Sequence, residues 1–314
     1  MSYSNCKTIL LAGAALSLTA CGGGSGGGLN SIPAPPLAPT PTPTPTPTPI
    51  PPPPAGPLGL KSDAPFALFS AYDSGNGSLV AGEGAVNFAY SLADDRYTVS
   101  LPGFEEGHPV TTGVSGTFNA SGWLHVSATS NNVSVGDTSA VQPVRLELEW
   151  PSGSDFKFTS MGSWYSPAAH TPLGYFVYGI PTVAGHMPIT GVASYAGNIR
   201  GLTSDRVDVY GSIDLLFNFG AGTLSGQMKP EIYPDWDPVP LGTYAFRDTV
   251  YSTGSTSFSG SFNVPGTSAA SAFQGSFNGP GAPEAMGSWN APYLNPLTES
   301  WGSMAGVFRA KKKP

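Results

Sequence analysis

Phe258-Ser259-Gly260-Ser261-Phe262-Asn263-Val264-Pro265-Gly266 recurs fifteen residues later as Phe273-Gln274-Gly275-Ser276-Phe277-Asn278-Gly279-Pro280-Gly281. Each copy reads as a β-strand with two phenylalanines on one face and a glycine between them. Asparagine and a Pro-Gly step close each copy, which is turn chemistry. A period of fifteen suits two neighbouring strands of a meander. A glycine inside a strand marks tight curvature or close approach of another backbone, as in a small barrel. Closure into a barrel also removes the exposed edges that so much sheet would otherwise present.

Working outward from the repeat, the same two-residue period recurs. Ile213, Leu215, Phe217 and Phe219 alternate with polar neighbours such as Asp214 and Asn218. Val144, Leu146, Leu148 and Trp150 alternate with Arg145, Glu147 and Glu149, and Tyr97, Val99 and Leu101 with Arg96, Thr98 and Ser100. No window sustains a helical apolar stripe over three turns, so the body is all β, with one sheet face packed and the other wet. Arg145, Glu147 and Glu149 would also suit the wet pore of a membrane-spanning barrel. A chain anchored by lipid has no need of a second anchor, so the expectation is a soluble barrel.

That lipid anchor is read from the N-terminus. Lys7 precedes the apolar run Ile9–Leu16, too short to span a bilayer and stay there. Leu18-Thr19-Ala20-Cys21 follows, with the form of a bacterial lipobox. Residues 1–20 are thus expected to be a cleaved signal and Cys21 the lipidated first residue of the mature protein, held to a bilayer by multiple acyl chains. Residues 21–57 form a tether. Its Gly22–Gly28 run, all glycine apart from Ser25, is a flexible coil, and Pro41 to Pro49 alternates strictly with threonine. Polyproline II at about 3.1 Å per residue would make the stretch to Pro54 a semi-rigid stalk on the order of 40 Å long.

Cys6 leaves with the signal and Cys21 carries lipid, so the mature domain has no thiol for a disulfide. Sheet pairing and core packing alone must hold an exported domain of this kind together. Residues 61–308 carry 8 basic and 20 acidic side chains, a net charge of −12. A body with that balance repels phosphate backbones, which argues against a nucleic-acid partner. Arg309, Lys311, Lys312 and Lys313 concentrate the remaining positive charge at the C-terminus.

Reactive constellations are sparse. His108, His125, His170 and His186 show no metal-ligand spacing. His170 and His186 flank a segment containing Tyr165, Tyr175 and Tyr178, the one arrangement that suggests a haem pocket, although His170 reads as a loop residue. No serine sits in a nucleophile elbow with a credible acid and base, so an enzyme is not expected. Tyr233-Pro234-Asp235-Trp236-Asp237 is the candidate contact segment. An exposed tryptophan between carboxylates is an uncommon choice for a mere connector, so Tyr233, Asp235, Trp236 and Asp237 are taken as candidate ligand contacts.

Four segments in order resemble one family. Gly275-Ser276-Phe277-Asn278-Gly279-Pro280-Gly281-Ala282-Pro283-Glu284-Ala285-Met286-Gly287-Ser288-Trp289 and Gly306-Val307-Phe308-Arg309-Ala310-Lys311-Lys312 are similar to the end of the transferrin-binding protein B-like barrel domain. Met187–Gly197 is similar to the start of that barrel, and Asp214–Gly226 to one of its strand-turn-strand pairs. The resemblance covers about residues 175–313. Arg309 stands where the family tends to have glycine, and Ser288 where a second glycine is common. At the closing seam Arg309 is expected either to alter the barrel mouth or to face solvent.

The resemblance implies an N-terminal antiparallel handle domain, here residues 58–183, followed by an eight-stranded antiparallel soluble barrel, residues 184–314. It implies a surface lipoprotein of the Gram-negative outer membrane that binds a protein or haem ligand without covalent chemistry, with a TonB-dependent receptor as its partner in nutrient uptake. It transfers no binding residue, because family members contact ligands through variable loops. A structural or shielding lipoprotein with no uptake role is the rival reading.

Overall fold

The computed structural model describes residues 55–56, 59–60, 62–75, 77–93, 96–101, 116–118, 123–128, 144–149, 155–166, 171–234 and 237–314. Cys21 and the tether up to residue 54 lie outside them. Among the described residues there is no α-helix, and no helix is long and apolar enough to cross a membrane. The strands are β1 (Ala55–Gly56), β2 (Gly59–Leu60), β3 (Ala67–Asp73), β4 (Leu79–Glu83), β5 (Asn87–Ser91), β6 (Arg96–Ser100), β7 (Gly116–Phe118), β8 (Trp123–Ala128), β9 (Val144–Glu149), β10 (Thr159–Ser166) and β11 (Thr171–Gly179). A 3-10 turn at Ala184–His186 precedes β12 (Val192–Thr203), β13 (Asp208–Asn218), β14 (Thr223–Ile232), β15 (Val239–Pro240), β16 (Tyr244–Val250), β17 (Ser257–Asn263), β18 (Ala272–Asn278), β19 (Glu284–Asn295) and β20 (Ser300–Lys312).

The first group builds the handle, an antiparallel sheet in the order β4-β3-β11-β10-β9-β8-β7, with β5 and β6 as a separate hairpin. Its inner strand β11 reads Tyr175-Phe176-Val177-Tyr178, an unbroken buried run, because both faces are covered. Phe176 and Tyr178 pack with Trp164, Phe88 and Tyr90 on one face. Tyr175 and Val177 join Phe69, Ala71 and Met161 on the other, against Leu202, Met286, Ala305 and Val307 of the second group.

That second group is the barrel. β13, β12, β20, β19, β18, β17, β16 and β14 pair in that order, and the β13–β14 ladder closes the ring. The handle-plus-barrel architecture read from the sequence is therefore the one observed. Along β13, Val209, Ile213, Leu215 and Phe217 point inward and are at most 1 % exposed, as the alternation requires.

The fifteen-residue repeat is the β17–β18 ladder. Phe258 pairs with Gly275, and Gly260 with Phe273. The exchange is reciprocal. A Cβ on Gly260 would lie 2.5 Å from the Phe273 ring, and one on Gly275 2.6 Å from the Phe258 ring. β19 and β20 repeat the arrangement, pairing Trp289 with Gly306 and Gly287 with Phe308. A Cβ on Gly306 would approach the Trp289 ring to 2.4 Å, and one on Gly287 the Phe308 ring to 2.6 Å. Each ring lies over a neighbouring backbone that carries no side chain.

Polar clamps flank the apolar seam between handle and barrel. Glu284 opens β19 and is 3 % exposed. Its carboxylate accepts from the Lys157 N–H at 2.6 Å, the Phe158 N–H at 3.0 Å and the Thr159 hydroxyl at 2.7 Å. Burial pushes its pKa up, while those three donors and nearby Arg309 pull it down. Arg309 neither alters the mouth nor faces solvent. It is 3 % exposed, its guanidinium lies 4.1 Å from the Phe156 ring centroid, and its Nε donates to Asn198 Oδ1 at 3.3 Å. The handle segment around Phe156 covers this stretch of β20, which a solvated barrel would leave wet. Near the other end of the seam, Arg206 Nε donates to the buried Asp73 carboxylate at 2.7 Å, and the Tyr175 hydroxyl donates to Asp208.

Glu284→Ala would strand the buried Phe158 N–H and Thr159 hydroxyl and the part-buried Lys157 N–H, a loss of about 3 kcal/mol. Urea unfolding should show that loss, together with faster limited proteolysis near Lys157. An unchanged midpoint and cleavage rate would mean that the carboxylate does not hold the seam.

Candidate functional site

The barrel interior is occupied by its own side chains. Phe217 lies 4.7 Å from Phe277, 5.0 Å from Phe258 and 5.2 Å from Tyr251 between ring centroids, and Tyr195 closes on it edge-to-face at 5.6 Å. Tyr244, Phe262, Trp289, Tyr293 and Phe308 fill the remainder. The outer surface and the loops are therefore where a candidate contact site is to be sought.

The ladders place four connections at one end of the barrel: residues 204–207, 233–243, 264–271 and 296–299. Tyr233 sits at this end, half-buried. Its ring meets Tyr210 edge-on at 4.9 Å, its hydroxyl donates to Glu231 at 3.3 Å, and its N–H donates to the Asp208 carbonyl at 3.1 Å. Arg200 lies over the other ring of that pair, 4.9 Å from the Tyr210 centroid. Asp237 is exposed, with its N–H donating to the Pro234 carbonyl at 3.2 Å. Asp235 and Trp236 lie outside the described residues. Tyr233 is thus rooted on the barrel, and Asp237 stands exposed beyond it.

The residues that sequence reasoning missed stand on the β19–β20 hairpin. Leu294 and Trp301 are a cross-strand pair, 45 % and 47 % exposed, and Leu297 in the turn between them is 65 % exposed. Asn295 shapes the turn, its side chain accepting from the Leu297 N–H at 2.9 Å and its carbonyl from the Glu299 N–H at 2.8 Å. Trp301 also reaches Gly266 in the 264–271 connection, where a Cβ would lie 3.5 Å from the indole. Asp205, Glu231, Asp237 and Glu299 stand at the same end, so an acidic rim accompanies the apolar pair. The signal available in sequence was an apolar residue on each flank of an Asn-Pro turn, at outward register positions.

Tyr175 and Tyr178, near His186 in sequence, do not come together. Tyr175 faces the barrel and Tyr178 the opposite side of the handle sheet, because residues three apart on a strand point to opposite faces. His186 lies in the 3-10 turn, and His108 and His170 lie outside the described residues. Among the described residues, no three His, Cys, Asp or Glu side chains are grouped to hold a metal.

No protein-family profile and no curated protein sequence matches the chain. Among solved structures it is similar to transferrin-binding protein B from Haemophilus parasuis Hp5, at 14 % identity and a TM-score of 0.44 over 79 % of this chain and 45 % of that one. It is similar to the intact two-lobed Ap-TbpB, at 17 % identity and a TM-score of 0.46 over 81 % of this chain and 47 % of that one. It is also similar to the isotype 1 transferrin-binding protein B of serogroup B Neisseria meningitidis, at 15 % identity and a TM-score of 0.40 over 82 % and 45 %. The chain thus spans less than half the length of these three proteins.

Burial and the neighbouring Asp208 push the Tyr210 phenol up to about 12, against 10.0 ordinarily, while Arg200 pulls it back. The unfolded chain would ionise near pH 10 and the folded one later. Stability from this group is therefore complete below pH 10 and falls as pH rises towards 12. Tyr210→Phe should flatten the decline of the urea midpoint between about pH 9.5 and 11.5. An identical slope in the variant would show that the phenol is not held this way.

Proposed function

We propose that this chain is a lipid-anchored surface lipoprotein of a Gram-negative outer membrane. It holds a ligand non-covalently at the barrel end that carries Leu294, Leu297, Trp301 and the 233–243 connection. The observation that carries the reading is an exposed Leu-Trp cross-strand pair fixed on a closed barrel whose interior is already full. Exposed aromatic and aliphatic anchors on a rigid hairpin are the residue types that dominate protein interfaces. The acidic rim favours a ligand with a basic surface around an apolar pocket.

The lipobox at Leu18–Cys21 and the stalk of residues 21–57 support the location. In this reading residues 58–183 are the handle and 184–314 the barrel, and Cys21 is the lipid attachment. The sequence resemblance supports a role in nutrient uptake, with an iron-bearing protein or haem as cargo. The partner is a TonB-dependent receptor in the same membrane. The proteins named above for binding transferrin suggest the class of cargo. The task is binding rather than catalysis.

Capture of the full-length lipidated protein from cross-linked envelopes of iron-starved cells, read by mass spectrometry, tests this. The expected result is one stoichiometric TonB-dependent receptor or its cargo. Trp301→Ala should lower that recovery about tenfold or more without moving Tm, since the ring is half-exposed. Recovery of only abundant envelope proteins, at the level of a control lipoprotein, would overturn the uptake role and favour a shielding one.

A further inference from the structure

Among the described residues the handle sheet ends on one side at β4. Among the described residues β4 pairs on one side only, with β3. Edge strands are usually blunted by lysine, proline or a bulge, because their unpaired N–H and C=O groups recruit other strands. Leu79-Val80-Ala81-Gly82-Glu83 has neither lysine nor proline, its register with β3 is unbroken, and Val80 is 39 % exposed.

Where β4 ends the sheet, two cavities of about 520 and 320 Å³ open between handle and barrel. They share Ser259 and Gln274 and so adjoin as a cleft along β17 and β18, with the Gln274 amide 3.5 Å from where a Cβ on Gly82 would lie. Ala81 lines one and Glu83 the other, while Ser261, Ser288 and Asn290 line the barrel side of the larger. Two carboxylates face the cleft, Glu83 and Asp248, and among the described residues neither lysine nor arginine lines it. Asp248 is brought there by a β-bulge, the register of β16 shifting between Arg247 and Val250 with Asp248 at φ 49°. Ser261 Oγ donates to its Oδ2 at 3.1 Å and Arg247 Nε approaches the same oxygen at 3.0 Å, which fixes the carboxylate at the lip.

We propose that this cleft binds an extended, basic polypeptide segment as an added strand on the free edge of β4. Main-chain hydrogen bonds to the edge would supply affinity that does not depend on sequence. Alternate side chains of the guest would then point at the serine, glutamine and asparagine wall of the barrel, with basic residues reaching Glu83 and Asp248. Five extended residues cover about 16 Å, the length of β4 itself. The site is on the flank of the barrel, apart from the loop end assigned above, so it stands or falls independently of that assignment.

The probe is a synthetic (Thr-Lys)5 decapeptide added to the full-length chain, with amide hydrogen exchange read residue by residue. Exchange over Leu79–Glu83 should slow about tenfold or more, in a saturable way. A (Pro-Lys)5 peptide keeps the charge but lacks alternate N–H donors, and (Thr-Glu)5 keeps the β-propensity with the charge reversed; neither should protect β4. Glu83→Lys combined with Asp248→Asn alters two exposed side chains and should weaken (Thr-Lys)5 binding about tenfold with Tm unchanged. Equal protection by (Pro-Lys)5, protection spread over the acidic surface, or none at millimolar peptide would each overturn the proposal.

Discussion

Space inside a small barrel is the constraint on which this structure rests. Eight strands enclose a cross-section too narrow for large side chains at every inward position. Here rings are accommodated by removing the side chain opposite. Phe258 and Phe273 lie over Gly275 and Gly260, and Trp289 and Phe308 over Gly306 and Gly287, each pair directly cross-strand. The handle uses the same device once, pairing Trp164 with Gly174, whose Cβ would fall 2.3 Å from the indole. Neighbouring backbones are thereby drawn together under aromatic area, and the described residues include no cysteine that could add a disulfide to that packing.

Two consequences bear on function. A barrel filled by its own rings is a platform rather than a container, so the proposed contacts fall on loops, hairpin tips and the flank. The platform is also continuous with the handle. Met286, Ala305 and Val307 point outward from strands whose inward residues fill the barrel, and they pack under Phe69, Tyr175 and Val177. β19 is consequently buried on both faces from Glu284 to Trp289, and the Glu284 carboxylate is satisfied by handle backbone. The Tyr175–Asp208 contact joins the handle to the strand whose next outward residue, Tyr210, supports Tyr233. Handle, barrel wall and candidate contact loop thus share one chain of packed groups.

Much of this was legible in the sequence because it is local. The repeat gave β17 and β18 as neighbours, and the Ile213–Phe219 alternation gave the inward face of β13. Barrel and handle were implied by the family resemblance of four segments in order, not by any one strand. What was not legible depends on partners far along the chain. Arg309 reads as a solvated or mouth residue until the segment around Phe156, more than 150 positions earlier, is seen to cover it. Trp289 and Trp301 occupy similar small-residue strands, yet one is 1 % exposed and the other 47 %. Only register decides which faces inward. Tyr175 and Tyr178 looked like partners in sequence and are separated by the sheet itself.

The most direct test is a double-mutant cycle between Gly260 and Phe273, read by urea unfolding. Gly260→Ala alone should cost about 1–3 kcal/mol, since the added methyl meets the ring. Phe273→Leu alone should cost about 1 kcal/mol or more. Together they should cost less than the sum by about 1 kcal/mol, because the smaller side chain makes room for the methyl. Strict additivity would show that the glycine is not there to receive the ring, and would contradict the account of how this barrel is filled.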